Sequence, residues 1–124
     1  MLYNLPETAG DIIVVQATET LTAKDYTETF IPLLEEKLAA HDKVRVLLYL
    51  DHGFTGFEPA ALWEEAKFGL AHRNDFLRLA IVGDAGWTEW LAKIGDLLAG
   101  GETRHFTGAQ FLQPLHWIDG NDEV

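Results

Sequence analysis

The stretch LLYLDHGFTGFEPAALWEE, residues 47–65, contains the residue types that come nearest to a reactive site. Asp51, His52 and Thr55 supply the carboxylate, imidazole and hydroxyl groups of a nucleophilic triad. Adjacent residues of an extended chain point to opposite sides, however, so Asp51 and His52 do not simply share a hydrogen bond. The chain also lacks a nucleophile-elbow motif. We therefore predict that the protein is not an enzyme, and a hydrolase using these three residues is the weakest alternative.

Other polar residues do not form a recognisable metal or phosphate site. The five histidines are scattered along the chain and form no zinc-type helical pair. Residues 83–86, GDAG, contain two glycines but lack the full glycine pattern of a phosphate-binding loop. Asp84 ends a predicted strand, and capping the next helix is its expected task. The sequence thus predicts no metal and no cofactor.

Aromatic residues give the stronger indication of function. Trp63 and Trp87 fall in the first turns of two predicted helices, and Phe54 and Phe57 shortly precede the first of these helices. At one edge of a sheet such rings would line an apolar ligand site. Rings at helical spacing more often pack in a core, so core packing remains the alternative. The candidate ligand-binding residues are Asp51, His52, Phe54, Phe57, Trp63, Asp84 and Trp87.

Composition limits the classes of partner. The 124 residues include 20 Asp and Glu against 9 Lys and Arg, a formal charge of −11. Such a surface repels phosphate backbones, which argues against nucleic acid, although it can bind a basic protein partner or simply keep the chain soluble. The apolar runs are too short to cross a bilayer, and the start of the chain does not read as a signal peptide. With no cysteine, these features favour a cytoplasmic protein that is not embedded in a membrane.

Hydrophobic patterning predicts strands and helices in the order ββαβαβαβα. The predicted strands are residues 2–5, 11–19, 43–50, 76–82 and 104–106, and the predicted helices are 22–38, 59–73, 87–99 and a last one after Thr107. Thr22 and Asp25 have the spacing of a capping box. Pro32 falls inside the first helix and predicts a kink or restart there.

This order predicts a single α/β domain. Apolar strands that alternate with helices indicate a mostly parallel five-stranded sheet, opened by an antiparallel N-terminal hairpin. We assign residues 1–120 to the domain and residues 121–124 to a short acidic tail. Residues 2–5 would form an edge strand, which leaves a homodimer open, although such edges are usually shielded.

Three long segments resemble the SpoIIAA-like family, which is related in fold to STAS domains and to the lipid-binding Sec14/CRAL-TRIO domains. They read LTAKDYTETFIPLLEEKLAAHDKVRVLLYLD, FEPAALWEEAKFGLAHRNDFLRLAIVGDAGWTEWLAKI and GETRHF. The resemblance supports the predicted fold. In STAS domains of the anti-anti-sigma type, a serine after the third strand is phosphorylated and changes partner binding. The matching segment, residues 51–58, has only Thr55 as a hydroxyl residue, and the chain contains no serine.

Two functional hypotheses follow from the residues and the resemblance. The first is a binding domain that holds a small apolar or lipid-like ligand at the carboxyl edge of the parallel strands. The second is a regulatory protein-interaction module that uses segment 51–58 as its contact surface, with Thr55 as a candidate modified residue and without the usual serine switch.

Overall fold

A computed structural model describes residues 1–58, 60, 75–83, 102–107 and 112–119. Five strands form one sheet in the order β1-β2-β3-β4-β5. The strands are β1 (Leu2–Asn4), β2 (Ile12–Leu21), β3 (Val44–Phe57), β4 (Phe76–Gly83) and β5 (Glu102–Thr107). The predicted helices 59–73 and 87–99 and the tail 121–124 lie outside the described residues, apart from Ala60.

The sheet has the mixed topology that the sequence predicts. β1 pairs antiparallel with β2, with Leu2 opposite Ala17 and Asn4 opposite Val15. The pairs β2–β3, β3–β4 and β4–β5 are all parallel. Both the α/β class and the N-terminal hairpin are therefore confirmed.

The connection from β2 to β3 is a helix interrupted by one wide turn. It consists of α1 (Ala23–Asp25), a π-helical turn (Tyr26–Phe30) and α2 (Ile31–Ala40). The Asp25 amide donates to the Thr22 hydroxyl at 3.1 Å and the Thr22 amide donates to the Asp25 carboxylate at 3.0 Å, which confirms the capping box. Pro32 lies in the first turn of α2, which begins directly after this wide turn. The helix therefore restarts at the position where Pro32 predicts a kink or restart.

Strand β3 differs from its prediction. It was expected to end at residue 50 and to release a loop at residues 51–58, but it continues to Phe57. Between the pairs Ala17–Leu50 and Glu19–Phe54, β2 advances two residues while β3 advances four. The two strands therefore remain paired on both sides of a β-bulge in β3. The bulge contains the polar and glycine residues that made this segment resemble a loop.

Apolar residues bury both faces of the sheet. One face packs against the π-helical turn and α2 through a cluster that includes Ile13, Val15, Val46, Ile81 and Leu34. The other face packs against α3 (Leu112–Ile118) through a cluster that includes Val14, Leu47, Val82, Trp117 and Ile118. Alternation along the strands thus decides which face each residue serves. No helix within the described part of the chain is long and apolar enough to cross a membrane.

Candidate functional site

Asp51 holds the bulge of β3 in place. Its carboxylate accepts the Gly53 amide at 2.8 Å, a bond that turns the backbone directly after Asp51. The other carboxylate oxygen accepts the Gln16 side-chain amide at 2.7 Å, across the strand pair from β2. A Cβ at position 53 would lie 3.0 Å from the Thr18 hydroxyl, so glycine suits this position. Asp51 is therefore already engaged in fixing the local backbone.

The hydrogen bonds around Asp51 also keep it ionised. Partial burial by itself raises the pKa of this carboxyl group. The hydrogen bonds from Gln16, Thr18 and the Gly53 amide, together with nearby His52, outweigh that effect and lower the pKa below its ordinary value of 3.8. Asp51 is consequently an anion at neutral pH and not a proton donor.

His52 and Thr55 do not complete a catalytic arrangement with Asp51. His52 is exposed, while the Thr55 hydroxyl lies 3.2 Å from the Thr20 hydroxyl on β2. Asp51 bonds instead to Gln16 and Gly53. In the parts of the chain that the structure covers, no group of three His, Asp or Glu residues is placed to hold a metal ion.

The strand pair carries backbone strain beside these residues. Glu19 has a φ of 57°, in the left-handed region that a residue with a side chain rarely occupies. Such a conformation costs about 1 kcal/mol and persists only where the surrounding structure enforces it. Gly56, with a φ of 142°, supplies a second unusual conformation at no steric cost. The ends of β2 and β3 are thus held in shape by their mutual pairing.

An apolar cavity of about 50 Å³ lies between the sheet and the π-helical turn, partly open at the surface. It is lined by side chains from four strands and from the turn itself: Leu2, Val15, Leu21, Tyr26, Phe30, Val46, Leu48 and Leu79. The rings of Tyr26 and Phe30 are stacked, with their centroids 5.3 Å apart. Every lining residue is aliphatic or aromatic, so the cavity suits a hydrocarbon group.

The predicted ligand residues lie in different places relative to this cavity. Phe54 is only 7% exposed and belongs to the core cluster on the same face of the sheet. Asp51 is on the opposite face, because its partner Gln16 and Val14 lie two residues apart on β2 and so point to the same side of the sheet.

The remaining predicted ligand residues are described only in part or not at all. Phe57 is the last residue of β3. The side chain of Phe57 and the residues Trp63, Asp84 and Trp87 lie outside the described part of the structure.

Comparison with known proteins agrees with this architecture. The model of the SpoIIAA-like family matches residues 12–119. The chain belongs to the SpoIIAA-like family. A crystal structure of an uncharacterised protein from Shewanella loihica PV-4, described as having a SpoIIAA-like fold, is 27% identical to the chain. The match covers 94% of this chain and 93% of that one, with a TM-score of 0.74. No curated protein matches the chain.

The cavity of this SpoIIAA-like protein was not found from the sequence. The sequence pattern places Tyr26 and Phe30 within the predicted helix 22–38 and Leu2 in the predicted edge strand 2–5, with no sign that these residues share a cavity. The available signal was Pro32, which predicts an irregular turn at about the position where the π-helical turn occurs. Because π-helical turns are rare and frequently occur at functional sites, that signal also indicated where a cavity should be sought.

Proposed function

We propose that the protein is a non-enzymatic binding domain that takes up a small apolar or lipid-like group in the cavity beneath the π-helical turn. The observation that carries this proposal is the wholly aliphatic and aromatic lining of a cavity that opens at the surface. Its roof, Tyr26–Phe30, is the irregular segment of the helix.

Energetics support occupation of the cavity. A hydrocarbon group that enters the cavity leaves water, which is favourable by about 0.8 kcal/mol for each CH₂ that becomes buried. Typical ligand pockets are larger, about 300–1,000 Å³, so the cavity accepts the end of a chain and not a whole lipid. Further burial would come from Trp63 and Trp87 if these residues line the opening, which stays a prediction.

A methyl-detected NMR titration with dodecanoate tests the proposal, because the two faces of the sheet provide separate reporters. We expect saturable shifts at the lining methyl groups of Val15, Val46 and Leu79, with little change at Val14 and Val82 on the opposite face. The added methylene of Val46→Ile should fill part of the cavity and weaken binding about tenfold. Val14→Ile, the same substitution on the other face, should change binding less than twofold.

Two results would contradict the apolar-ligand proposal. One is a pattern of shifts spread equally over both faces, which indicates detergent-like association. The other is equal binding by the Val46→Ile and Val14→Ile variants, since filling the cavity would then have no effect. Xenon under pressure provides a second probe that carries no charge and enters apolar cavities.

Exposure of Thr55 favours the second candidate function, a regulatory protein-interaction module. Its hydroxyl lies at the surface beside that of Thr20, where an added phosphate would place negative charge in an already acidic protein. A pull-down from the native host with the wild type and Thr55→Glu tests this role. We expect the variant to lose at least one partner that Thr20→Val retains, and identical partner sets would exclude the switch.

A further inference from the structure

The face of the sheet that packs against α3 also carries an exposed corner, formed by the side chains of Met1 and Tyr3. Among the described residues, three large apolar side chains are exposed: Met1 and Tyr3 at 46% each, and Leu77 at 38%. Met1 and Tyr3 adjoin, since the Tyr3 hydroxyl lies 3.6 Å from the Met1 sulfur. Leu2, between them, turns the other way and lines the apolar cavity. The corner is therefore a distinct surface on the opposite face from the proposed ligand site.

Strand register places a second tyrosine in the same row. Tyr3 pairs with Gln16, and Gln16 pairs with Tyr49 on β3. Tyr49 packs beside the core cluster of this face and is half-buried. Neighbouring strands lie about 4.8 Å apart, so the backbones of Tyr3 and Tyr49, on either side of Gln16, are roughly 10 Å apart. We call Tyr3, Gln16, Tyr49 and Asp51 the tyrosine patch.

Asp51 gives the tyrosine patch its charge. The Gln16 amide donates to the Asp51 carboxylate at 2.7 Å, which fixes the anion next to the row of tyrosines. A cation over Gln16 would lie between the two rings at about the 6 Å range over which cation–π attraction acts. The same chemistry occurs inside this molecule, where the guanidinium carbons of Arg78 and Arg104 lie 4.9 and 5.1 Å from the centre of the Trp117 ring.

We propose that the tyrosine patch docks a basic segment of a partner protein, with an arginine or lysine side chain over Gln16 between the two tyrosines and beside Asp51. Charge complementarity argues for this occupant. The protein has a formal charge of −11, so its overall field attracts a basic segment and repels an acidic one. The exposed ring of Tyr3 and the half-buried ring of Tyr49 supply flat apolar area that a charged side chain can cover. The proposal is independent of ligand binding in the cavity.

Titration with a short capped peptide containing two arginines tests the docking proposal, with amide NMR shifts as the readout. The control peptide has glutamine in place of each arginine. We expect saturable shifts around Tyr3, Gln16 and Asp51 for the arginine peptide only. Tyr3→Ser, which removes an exposed ring, should weaken binding at least fivefold. Leu77→Ser, which removes an exposed apolar side chain on β4, outside the tyrosine patch, should leave binding within twofold.

A charge-matched pair separates local recognition from general attraction. Asp51→Asn should weaken binding of the arginine peptide at least fivefold. Glu35→Gln, at an exposed residue of α2, removes the same charge and should change binding less than twofold. Asparagine can still accept the Gly53 amide, so the backbone turn is retained. Equal losses in the two variants, shifts elsewhere on the surface, or equal binding of the glutamine peptide would each overturn the proposal. Because Tyr3→Ser leaves Asp51 unchanged, the test does not depend on one variant.

Discussion

At the scale of single residues, Asp51 illustrates how a residue that resembles a catalytic acid can instead serve the backbone. Its carboxylate joins Gln16 on β2 to the Gly53 amide within β3. Both bonds form at the bulge, where the regular ladder between the two strands is interrupted. Hydrogen bonds to an ionised group contribute more than those between neutral groups, about 1.5–3 kcal/mol when partly buried. Partial exposure of Asp51 places its contribution near the lower end of that range.

The Asp51→Ala variant should therefore lose about 1–2 kcal/mol of unfolding free energy at pH 7, as measured by urea denaturation. Because the folded-state pKa of Asp51 is lowered, its stabilising effect is fully present above its unfolded pKa and is lost as the pH falls through the folded value. The difference between wild type and Asp51→Ala should consequently shrink below about pH 4. Asp42→Ala, at an exposed carboxylate, should cost less than ~0.5 kcal/mol at both pH values. A difference of the same size at pH 7 and pH 3 would show that the ionised carboxylate is not responsible.

Sequence reasoning succeeded for residues whose role is local. Thr22 and Asp25 form a capping box at the spacing that predicts one, because both bonds lie within four residues. It did not identify the role of Gln16, because its hydrogen-bond partner Asp51 is 35 positions away and only strand pairing brings the two together. The tyrosine patch was hidden for the same reason: its row joins three strands, and only two of them are joined by a short connection.

At the scale of elements, the sequence predicted the five strands and their directions but not the extent of β3. Its apolar core, residues 44–50, has the continuous pattern of a buried parallel strand. Beyond it, Asp51, Gly53 and Gly56 are residues that usually occur in turns, so the pattern indicated a loop. Pairing with the end of β2 overrides these preferences and continues the strand to Phe57. Local propensity fails here because the partner strand, not the segment itself, supplies the stabilising bonds.

The helix after β2 shows the opposite case, in which an awkward residue gave correct information. Pro32 cannot donate a backbone hydrogen bond and crowds the preceding turn. The chain meets this constraint by widening the turn at Tyr26–Phe30 and starting α2 at Ile31. The widened turn also sets where Tyr26 and Phe30 lie over the cavity. The proline thus predicted the irregularity, whereas the cavity depended on side chains from four strands that no local pattern connects.

At the scale of the whole molecule, the excess of acidic residues affects folding and docking in opposite ways. The formal charge of −11 makes the folded chain repel itself, and added salt screens this repulsion. Salt also weakens partly exposed ion pairs such as Met1–Asp25 and Arg45–Asp11, but each such pair contributes little to stability.

Raising NaCl from about 20 to about 300 mM should therefore increase the unfolding free energy by on the order of 1 kcal/mol, visible as a rise of roughly 0.5 M in the urea midpoint. The same change should weaken binding of the arginine peptide to the tyrosine patch, because screening reduces the attraction of the peptide to Asp51 and to the negative charge of the protein as a whole. Binding of uncharged xenon should stay nearly constant, which makes it the internal control. A fall in the urea midpoint with added salt would mean that the attractive pairs outweigh the repulsion, and the electrostatic basis of both expectations would then be wrong.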